Sequence, residues 1–296
     1  METAPKKPVI LKADGTEDVF DVQKLEESLM LAGAGTHTAS RISALVSKNV
    51  FPGIRTADIY RRAFALLRKE ERAAAARYSL RRALLELGPS GHPFEDFVAK
   101  IFAKQGWKVE WRKILQGKCV AHEVDIYGTR SINGTEEVET MAGELKYHND
   151  PAYKTDVKTA LYVKARLDDI WHCDPTKEKC PIDRSFLVTN TKFTSQAIAY
   201  GTCAGLELIS WNYPQKGNLF DLIRETGVYP ITALTTLKKS EKKVLIERGI
   251  VSCDALQEQR AVLREILFSP ERVGDVLAES AGLCASSEEP QDSFHT

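Results

Sequence analysis

Two short segments in which apolar and charged residues alternate constrain the fold of this chain most strongly. Residues 123–127, EVDIY, read as a β-strand with Asp125 on one face. In residues 143–147, GELKY, strand geometry puts the side chains of Glu144 and Lys146 on one face and the intervening leucine in a core. An Asn-Gly pair in the polar stretch between the segments favours a tight reversal. We therefore expect a hairpin-like pair that brings Asp125 beside Glu144 and Lys146.

Two carboxylates and one ammonium group at a single point suit phosphodiester hydrolysis. The carboxylates can hold a hard cation, Mg²⁺ or Mn²⁺, which binds a phosphate oxygen and lowers the pKa of a bound water. The ammonium group can orient that water. On these residues alone the alternative is a solvent-facing Asp125 and a surface ion pair between Glu144 and Lys146, because a D…ExK pattern also arises by chance.

Four further segments flank the two strands in a definite order: a helix, a turn into a strand, a strand followed by a helix, and a final strand. They are residues 93–102, 105–110, 186–197 and 206–211. With the D…ExK pattern they resemble the Mrr-like branch of the PD-(D/E)XK nuclease superfamily. The resemblance implies that Asp125 and Glu144 bind the metal and that Lys146 positions the attacking water. It also implies that Glu95, in the first helix, supports the metal through water. Many Mrr-like members carry glutamine in place of Glu144, so this chain is the acidic variant.

The length and composition of the chain exclude several classes of protein. Its 296 residues allow two or three domains, and 41 basic against 41 acidic side chains mean that any DNA-binding surface is a local patch. The absence of a long apolar run, of a signal-peptide core and of a CxxC spacing predicts a cytoplasmic protein with reduced thiols and no membrane partner. His172, Cys173 and Cys180 flank a polar loop, for which free thiols are favoured over a zinc site.

The first 90 residues predict a small hairpin followed by four helices. The hairpin covers residues 9–20, and Asp21 is a candidate N-cap of the first helix. The second helix covers residues 39–48, the third has Thr56 as its N-cap, and the fourth covers residues 71–87.

Four segments of this region, residues 11–15, 20–25, 56–59 and 75–78, resemble the ATP-cone, a nucleotide-sensing domain. The resemblance implies that Lys12 and Lys24 contact the phosphates of ATP or dATP, and that Thr56 at a helix start helps to hold the nucleotide. Ala13 stands where a basic residue often follows the strand lysine, which removes one phosphate contact. The alternative is a small helical domain whose lysines are only solvated.

Two further regions carry candidate contacts to DNA phosphates. Residues 154–170 predict a helix with Lys154 and Lys158 at its edge, where they either contact DNA or solvate the surface. The region from residue 216 onward predicts helices, including a pair around a Gly-Ile turn that is typical of half a helix-hairpin-helix. Its candidate contacts are Lys238, Lys239, Lys242 and Lys243, and a purely structural helical pair is the alternative.

The sequence thus predicts an α/β protein with four regions. They are an ATP-cone in residues 1–90, a restriction-endonuclease-like mixed sheet flanked by helices in 91–215, a helical region in 216–285 and a disordered tail in 286–296. The predicted function is metal-dependent DNA cleavage, modulated by ATP or dATP, in a homodimer because one site per chain has to cut two strands. Alternatives are a non-cleaving, nucleotide-responsive DNA-binding regulator and a ribonucleotide reductase accessory protein.

Overall fold

The computed structural model describes residues 7–12, 15–132, 134–171 and 182–284. Ala13, Asn133 of the predicted reversal, the loop with His172, Cys173 and Cys180, and the predicted disordered tail lie outside the described residues. None of the helices in the described ranges is long and apolar enough to cross a bilayer.

An antiparallel hairpin and a series of helices form the N-terminal part, as the sequence predicts. The strands are β1 (Val9–Leu11) and β2 (Glu17–Val19), and over residues 15–85 the helices are α1 (Val22–Leu31), α2 (Thr36–Ser47), α3 (Thr56–Glu70), α4 (Arg72–Tyr78) and α5 (Leu80–Leu85). The carboxylate of Asp21 accepts a hydrogen bond from the Gln23 N–H, which confirms the predicted N-cap.

Two predictions for these helices are wrong in detail. Thr56 is the first residue of α3 and Arg55 is the cap, with no side-chain cap bond. The predicted single helix over residues 71–87 divides into α4 and α5 at Ser79. The hydroxyl of Ser79 donates to the Ala76 carbonyl, and serine competes with helical hydrogen bonding in this way.

A five-stranded mixed sheet forms the centre of the described structure, in agreement with the predicted α/β class. In chain order the elements are α6 (His92–Lys104), β3 (Lys108–Gln116), β4 (Ala121–Ser131), β5 (Val138–Lys146), β6 (Lys154–Thr155), α7 (Val157–Trp171), β7 (Arg184–Thr189), β8 (Lys192–Phe193), α8 (Ser195–Ala204) and β9 (Glu207–Ile209). The strand order is β3-β4-β5-β7-β9, antiparallel from β3 to β5 and parallel from β5 to β9. Lys154 and Thr155 belong to the small β6–β8 pair, so α7 begins three residues later than predicted.

Each face of the sheet buries its own set of side chains. On one face, Met141 and Leu145 pack with α6, with α5 and with the C-terminal helices. On the other face, Ala142 and Leu187 pack with α7 and α8. A third cluster of buried residues belongs to α1–α4 and the first hairpin. The domain boundary near residue 90 stays a prediction, since side chains of α5 pack into the same core as the sheet.

The C-terminal region contains α9 (Leu219–Thr226), α10 (Lys239–Glu247), α11 (Arg260–Leu267) and α12 (Pro270–Cys284). The predicted second helix after the Gly-Ile turn is wrong. Gly249 has a φ of 77°, which ends α10, and Ser252 then forms a bridge with Pro230. A 3₁₀ turn, Asp254–Leu256, lies at the position predicted for the second helix, and α11 begins later, at Arg260, so the predicted half of a helix-hairpin-helix does not form here.

Candidate active site

Asp125, Glu144 and Lys146 meet where the β4–β5 ladder ends. The last pair of the ladder is Ile126 with Gly143, and the next residues along the two strands are Asp125 and Glu144. There the Leu145 N–H donates to the Asp125 carboxylate at 2.7 Å, so this side chain satisfies a backbone donor at the end of the ladder. The predicted juxtaposition of these residues is therefore present in the structure.

Gly143 holds β5 close to the adjacent strand. A Cβ atom at this position would lie 2.3 Å from the ring of Phe186, which is shorter than any van der Waals contact. Phe186 is the β7 partner of Gly143 in the parallel ladder. Because this ring packs directly over Gly143, the strand β7 supports the adjacent backbone of β5 that carries Glu144.

Two cations fix the carboxylate of Glu144, which is 7% exposed. One oxygen accepts from Lys146 Nζ at 2.7 Å, and the other accepts from Arg166 Nη1 at 2.8 Å. Arg166 comes from α7 and also donates to the Glu123 carbonyl, which ties the helix to β4. Charge-assisted bonds of this kind are short and strong, so they fix the orientation of the Glu144 carboxylate.

Asp125 has the most perturbed acidity in the site. Burial raises the pKa of Asp125 to about 6, and the negative charge of Glu144 adds to this rise. The Leu145 N–H and the Lys146 charge act in the opposite direction, while the charge of Glu95 raises the pKa further. The carboxyl group therefore titrates close to neutral pH, as acids in functional sites often do.

Glu95 reaches the site from the first turn of α6. Its carboxylate accepts hydrogen bonds from Arg112 Nη2 at 3.2 Å and Nε at 3.4 Å. Arg112 has a φ of 47°, in a region that non-glycine residues rarely adopt. It lies between two β3 residues that pair with Ile126 and Val124, so its place in the ladder is opposite Asp125. A strained arginine that fixes an acidic residue is therefore part of this site.

Sequence reasoning missed the roles of Arg112 and Arg166. Arg166 stands in a helix with other basic residues, and nothing in its spacing marks it as the partner of Glu144. Arg112 follows an exposed tryptophan on β3, and its unusual backbone conformation leaves no signature in the residue type. Both contacts join elements far apart in sequence, which periodicity does not reveal.

The donor set of the site fits a hard divalent cation. Asp125 and Glu144 offer only carboxylate oxygens, the ligands that Mg²⁺ and Mn²⁺ prefer. Within the described ranges no group of three or more His, Cys, Asp or Glu side chains is arranged to hold a metal. A metal held by this pair would take its remaining ligands from water, backbone or substrate, as Mg²⁺ commonly does.

The segment after β5 is fixed by a set of polar contacts. The amide of Asn190 accepts from the His148 N–H at 2.9 Å and donates to the His148 carbonyl at 2.8 Å. The imidazole of His148 lies against the Tyr153 ring, with 3.9 Å between centroids, and burial lowers the pKa of His148. These contacts hold the chain immediately beyond Lys146 in one conformation.

The predicted DNA contacts are distributed over two surfaces. Lys154 on β6 and Lys158 in the first turn of α7 are exposed, as are Lys238, Lys239 and Lys243 at the start of α10 and within it. Lys242 differs, because its ammonium donates to the Thr232 carbonyl at 2.7 Å and burial lowers its pKa. Lys242 is thus a packing residue in this structure, which argues against the predicted DNA contact.

The predicted nucleotide-binding residues lie near one another. Lys12 forms an ion pair with Asp18 at 2.7 Å, and the charge of Lys24 also lowers the pKa of Asp18. The Leu11 N–H donates to the Ile54 carbonyl at 3.0 Å, so the end of β1 is joined to the start of α3, where Thr56 lies.

Comparison with known proteins gives one family and several similar structures. Residues 229–284 match the family model described as AF1548-like, C-terminal. An uncharacterized protein from Archaeoglobus fulgidus is 33% identical over 184 residues, which are 62% of this chain and 97% of that protein. The crystal structure of AF1548, a protein of unknown function, aligns with a TM-score of 0.50 and 30% identity over 66% of this chain and 99% of that one.

Two restriction endonucleases align with lower scores. The DNA modification-dependent enzyme AspBHI gives a TM-score of 0.39 and 14% identity over 59% of this chain and 39% of that chain. MspJI in complex with a 27-mer oligonucleotide gives a TM-score of 0.34 and 12% identity over 82% of this chain and 48% of that chain.

Proposed function

This chain belongs to the AF1548-like family, and we propose that it is a metal-dependent DNA endonuclease that hydrolyses phosphodiester bonds. One observation carries the proposal. Asp125 and a second carboxylate, Glu144, stand beside a lysine at the end of one hairpin. This is the residue set that the resemblance to PD-(D/E)XK nucleases implies.

Each residue of the site has a separate task in the proposed reaction. Asp125 and Glu144 would hold Mg²⁺ or Mn²⁺, which when bound stabilises negative charge at phosphorus and lowers the pKa of a water. Arg166 holds the carboxylate of Glu144 in its orientation. Lys146 would orient the attacking water, and Glu95 would support the metal through a water.

Cleavage of supercoiled plasmid with and without Mg²⁺ tests this proposal. We expect Mg²⁺-dependent nicking or linearisation by the wild type and a loss of at least about 100-fold in Asp125→Asn and in Lys146→Met, because general acid–base and metal contacts each contribute on this scale. Lys48→Ala, an exposed lysine after α2, serves as the control. Cleavage that survives in Asp125→Asn would contradict the assignment.

The alternative of a non-cleaving regulator uses the same fold without hydrolysis. It predicts DNA binding with no cleavage of plasmid, methylated or branched substrates at any Mg²⁺ or Mn²⁺ concentration, and equal binding by the wild type and Asp125→Asn. The ion pairs that Glu144 makes with Lys146 and Arg166 are compatible with either function, so cleavage of this substrate panel decides between the two.

We propose in addition that the N-terminal region senses ATP or dATP through Lys12, Lys24 and Thr56. The support is that two lysines and a helix start lie near one another, an arrangement that attracts phosphate. Titration calorimetry with ATP and dATP tests it, with Lys24→Ala expected to weaken binding and Lys48→Ala expected not to. Equal affinities in all three proteins would exclude this site.

The remaining parts of the proposal concern DNA contacts, assembly and location. Lys154, Lys158, Lys238 and Lys239 remain candidate phosphate contacts because they are exposed. A homodimer would supply two active sites for the two DNA strands, and sedimentation with and without ATP measures it. The protein would act in the cytoplasm, where its DNA substrate and adenine nucleotides are available.

A further inference from the structure

A second concave surface lies between the N-terminal helices and the C-terminal region, apart from the residues of the candidate active site. It is a cleft of about 710 Å³ whose walls are α3 and α4 on one side, and the segment at Thr235 with α12 on the other. Its lining is strongly basic, with the six cations Arg61, Arg68, Lys69, Arg72, Arg82 and Arg272 against one acid, Asp275. Because the whole chain has equal numbers of acidic and basic residues, this excess of positive charge is a local feature of the cleft.

Three of the six cations have acidic partners that explain their position. Arg61 pairs with Asp58 at 3.0 Å, Arg82 with Glu86 at 2.8 Å, and Arg272 with Glu241 at 2.7 Å. The last pair is bidentate, so this arginine is held firmly on the wall of the cleft.

The other three cations, Arg68, Lys69 and Arg72, are without such partners. Among residues 15–132, 134–171 and 182–284, no side chain forms an ion pair or a hydrogen bond with any of them. Their neighbours Glu70 and Glu71 are engaged elsewhere, by Arg41 and by the Gly35 N–H. Three like charges in one concavity repel one another, and an anion in the cleft would relieve that repulsion.

The spacing of the cations indicates an extended anion. Arg61 and Arg68 are seven residues apart on α3, which is about 10 Å along a helix. One strand of duplex DNA advances about 3.4 Å along the duplex axis per phosphate, so this stretch corresponds to about three phosphate steps along that axis.

The short helix α5 contacts both the cleft and the segment next to the active site. Arg82 of α5 lines the cleft, while the Leu85 carbonyl accepts a hydrogen bond from Tyr147 at 2.7 Å. Tyr147 directly follows Lys146 in sequence. The cleft and the strand end of the site therefore border the same helix.

We infer that this cleft, centred on Arg68, Lys69 and Arg72, binds the phosphate backbone of DNA beside the proposed nuclease site. The inference rests on the proposed function for its substrate, and the contacts are independent of base sequence because they are made by charge to phosphates. The cleft would position the duplex, while the metal site performs the hydrolysis.

Salt-dependent binding tests the inference without catalysis. A fluorescein-labelled 24-base-pair duplex is titrated in EDTA with the full chain, and anisotropy is followed from low to moderate salt. For the Arg68→Gln/Lys69→Gln/Arg72→Gln variant we expect the slope of log K against log[salt] to fall by about 2 to 3, since each phosphate contact contributes about 0.9. Affinity at about 100 mM salt should fall tenfold or more.

A matched control removes the same charge from exposed positions outside the cleft. Lys48→Gln/Lys118→Gln/Arg264→Gln is expected to retain the wild-type slope, and both triple variants are checked for folding by circular dichroism. The charge-conserving Arg68→Lys/Arg72→Lys variant should also retain the slope. A wild-type slope in the cleft variant overturns the inference. So does an unchanged DNA slope with lost ATP affinity, because that result assigns the cleft to a mononucleotide.

The two proposals fail in different experiments. If Mg²⁺-dependent cleavage occurs and the cleft variant binds with the wild-type slope, the nuclease function stands and the cleft inference fails. If no substrate is cleaved but the slope falls only in the cleft variant, the cleft inference stands and the nuclease function fails.

Discussion

At the scale of single residues, the surroundings of Asp125 make its ionised form unfavourable. Burial and the charge of Glu144 raise its pKa to about 6 in the folded protein. The folded state thus binds the proton more tightly than the unfolded state, whose aspartate titrates near the usual value of about 3.9. The contribution of this group to stability is present below pH 4 and is lost as the pH rises through 6.

Asp125→Asn should therefore stabilise the metal-free protein at pH 7 to 8. The asparagine oxygen keeps the bond from the Leu145 N–H without carrying a charge, and the gain should be about 2 kcal/mol after allowance for the exposed part of the group. Urea unfolding midpoints at pH 4.0 and pH 7.5 measure it, with the gain confined to the higher pH. A gain in stability of equal size at both pH values would contradict the raised pKa of Asp125.

Asp169 provides a control because its pKa is shifted in the opposite direction to that of Asp125. Hydrogen bonding from His122, at 2.8 Å, lowers its pKa, and the N–H groups of Cys119 and Val120 also donate to it. Its contribution to stability is present above the usual aspartate pKa and is lost as the pH falls below it. Asp169→Asn should therefore destabilise the protein at pH 7.5 in the same urea titration.

At the scale of single elements, the packing of β5 on β7 requires a glycine, which has no side chain, at position 143. Gly143→Ala places a Cβ atom where the ring of Phe186 lies, so strand or ring has to move, at about 1 to 3 kcal/mol. Gly274→Ala in α12 is the matched control, because no atom lies within 4 Å and alanine favours a helix by up to about 1 kcal/mol. Thermal unfolding of the two variants should shift in opposite directions.

The elements that could be predicted from the sequence are those with a local signal. The alternating pattern around Asp125 and Glu144, and the Asp21 cap, describe backbone geometry within a few residues, and the structure agrees with them. The break at Ser79 and the loss of a helix after Gly249 were not predicted. Both depend on competing hydrogen bonds, of which the second pairs Ser252 with Pro230 across the fold.

The same limit applies to the candidate site. Its acids and its lysine could be predicted because strand periodicity places them on a common face. The roles of the two arginines could not be predicted. The position of Arg112 depends on an unusual φ, and the contact of Arg166 depends on how α7 packs over the sheet. The basic cleft was missed for a related reason, because its walls come from helices far apart in the chain.

At the scale of the whole molecule, two of the three clusters of buried residues separate the N-terminal helices from the C-terminal region. Leu29 belongs to a cluster confined to residues 10–75. Leu263 of α11 belongs to the cluster that includes α5, α6 and one face of the central sheet. A buried bond from the Thr232 hydroxyl to the Ala83 carbonyl, at 2.6 Å, joins α5 to the C-terminal region. The C-terminal helices are thus part of the same packing unit as the candidate active site.

Paired truncations of these leucines should separate the two units. Both side chains are fully buried, and Leu→Ala at such positions costs about 2 to 5 kcal/mol. Hydrogen exchange followed by mass spectrometry should show that Leu29→Ala accelerates exchange in α1–α3 and leaves β5 protected. Leu263→Ala should accelerate exchange in α11, α6 and β5 together, because these elements share one core. If Leu263→Ala exposes only α10–α12, the C-terminal helices fold independently and do not support the site.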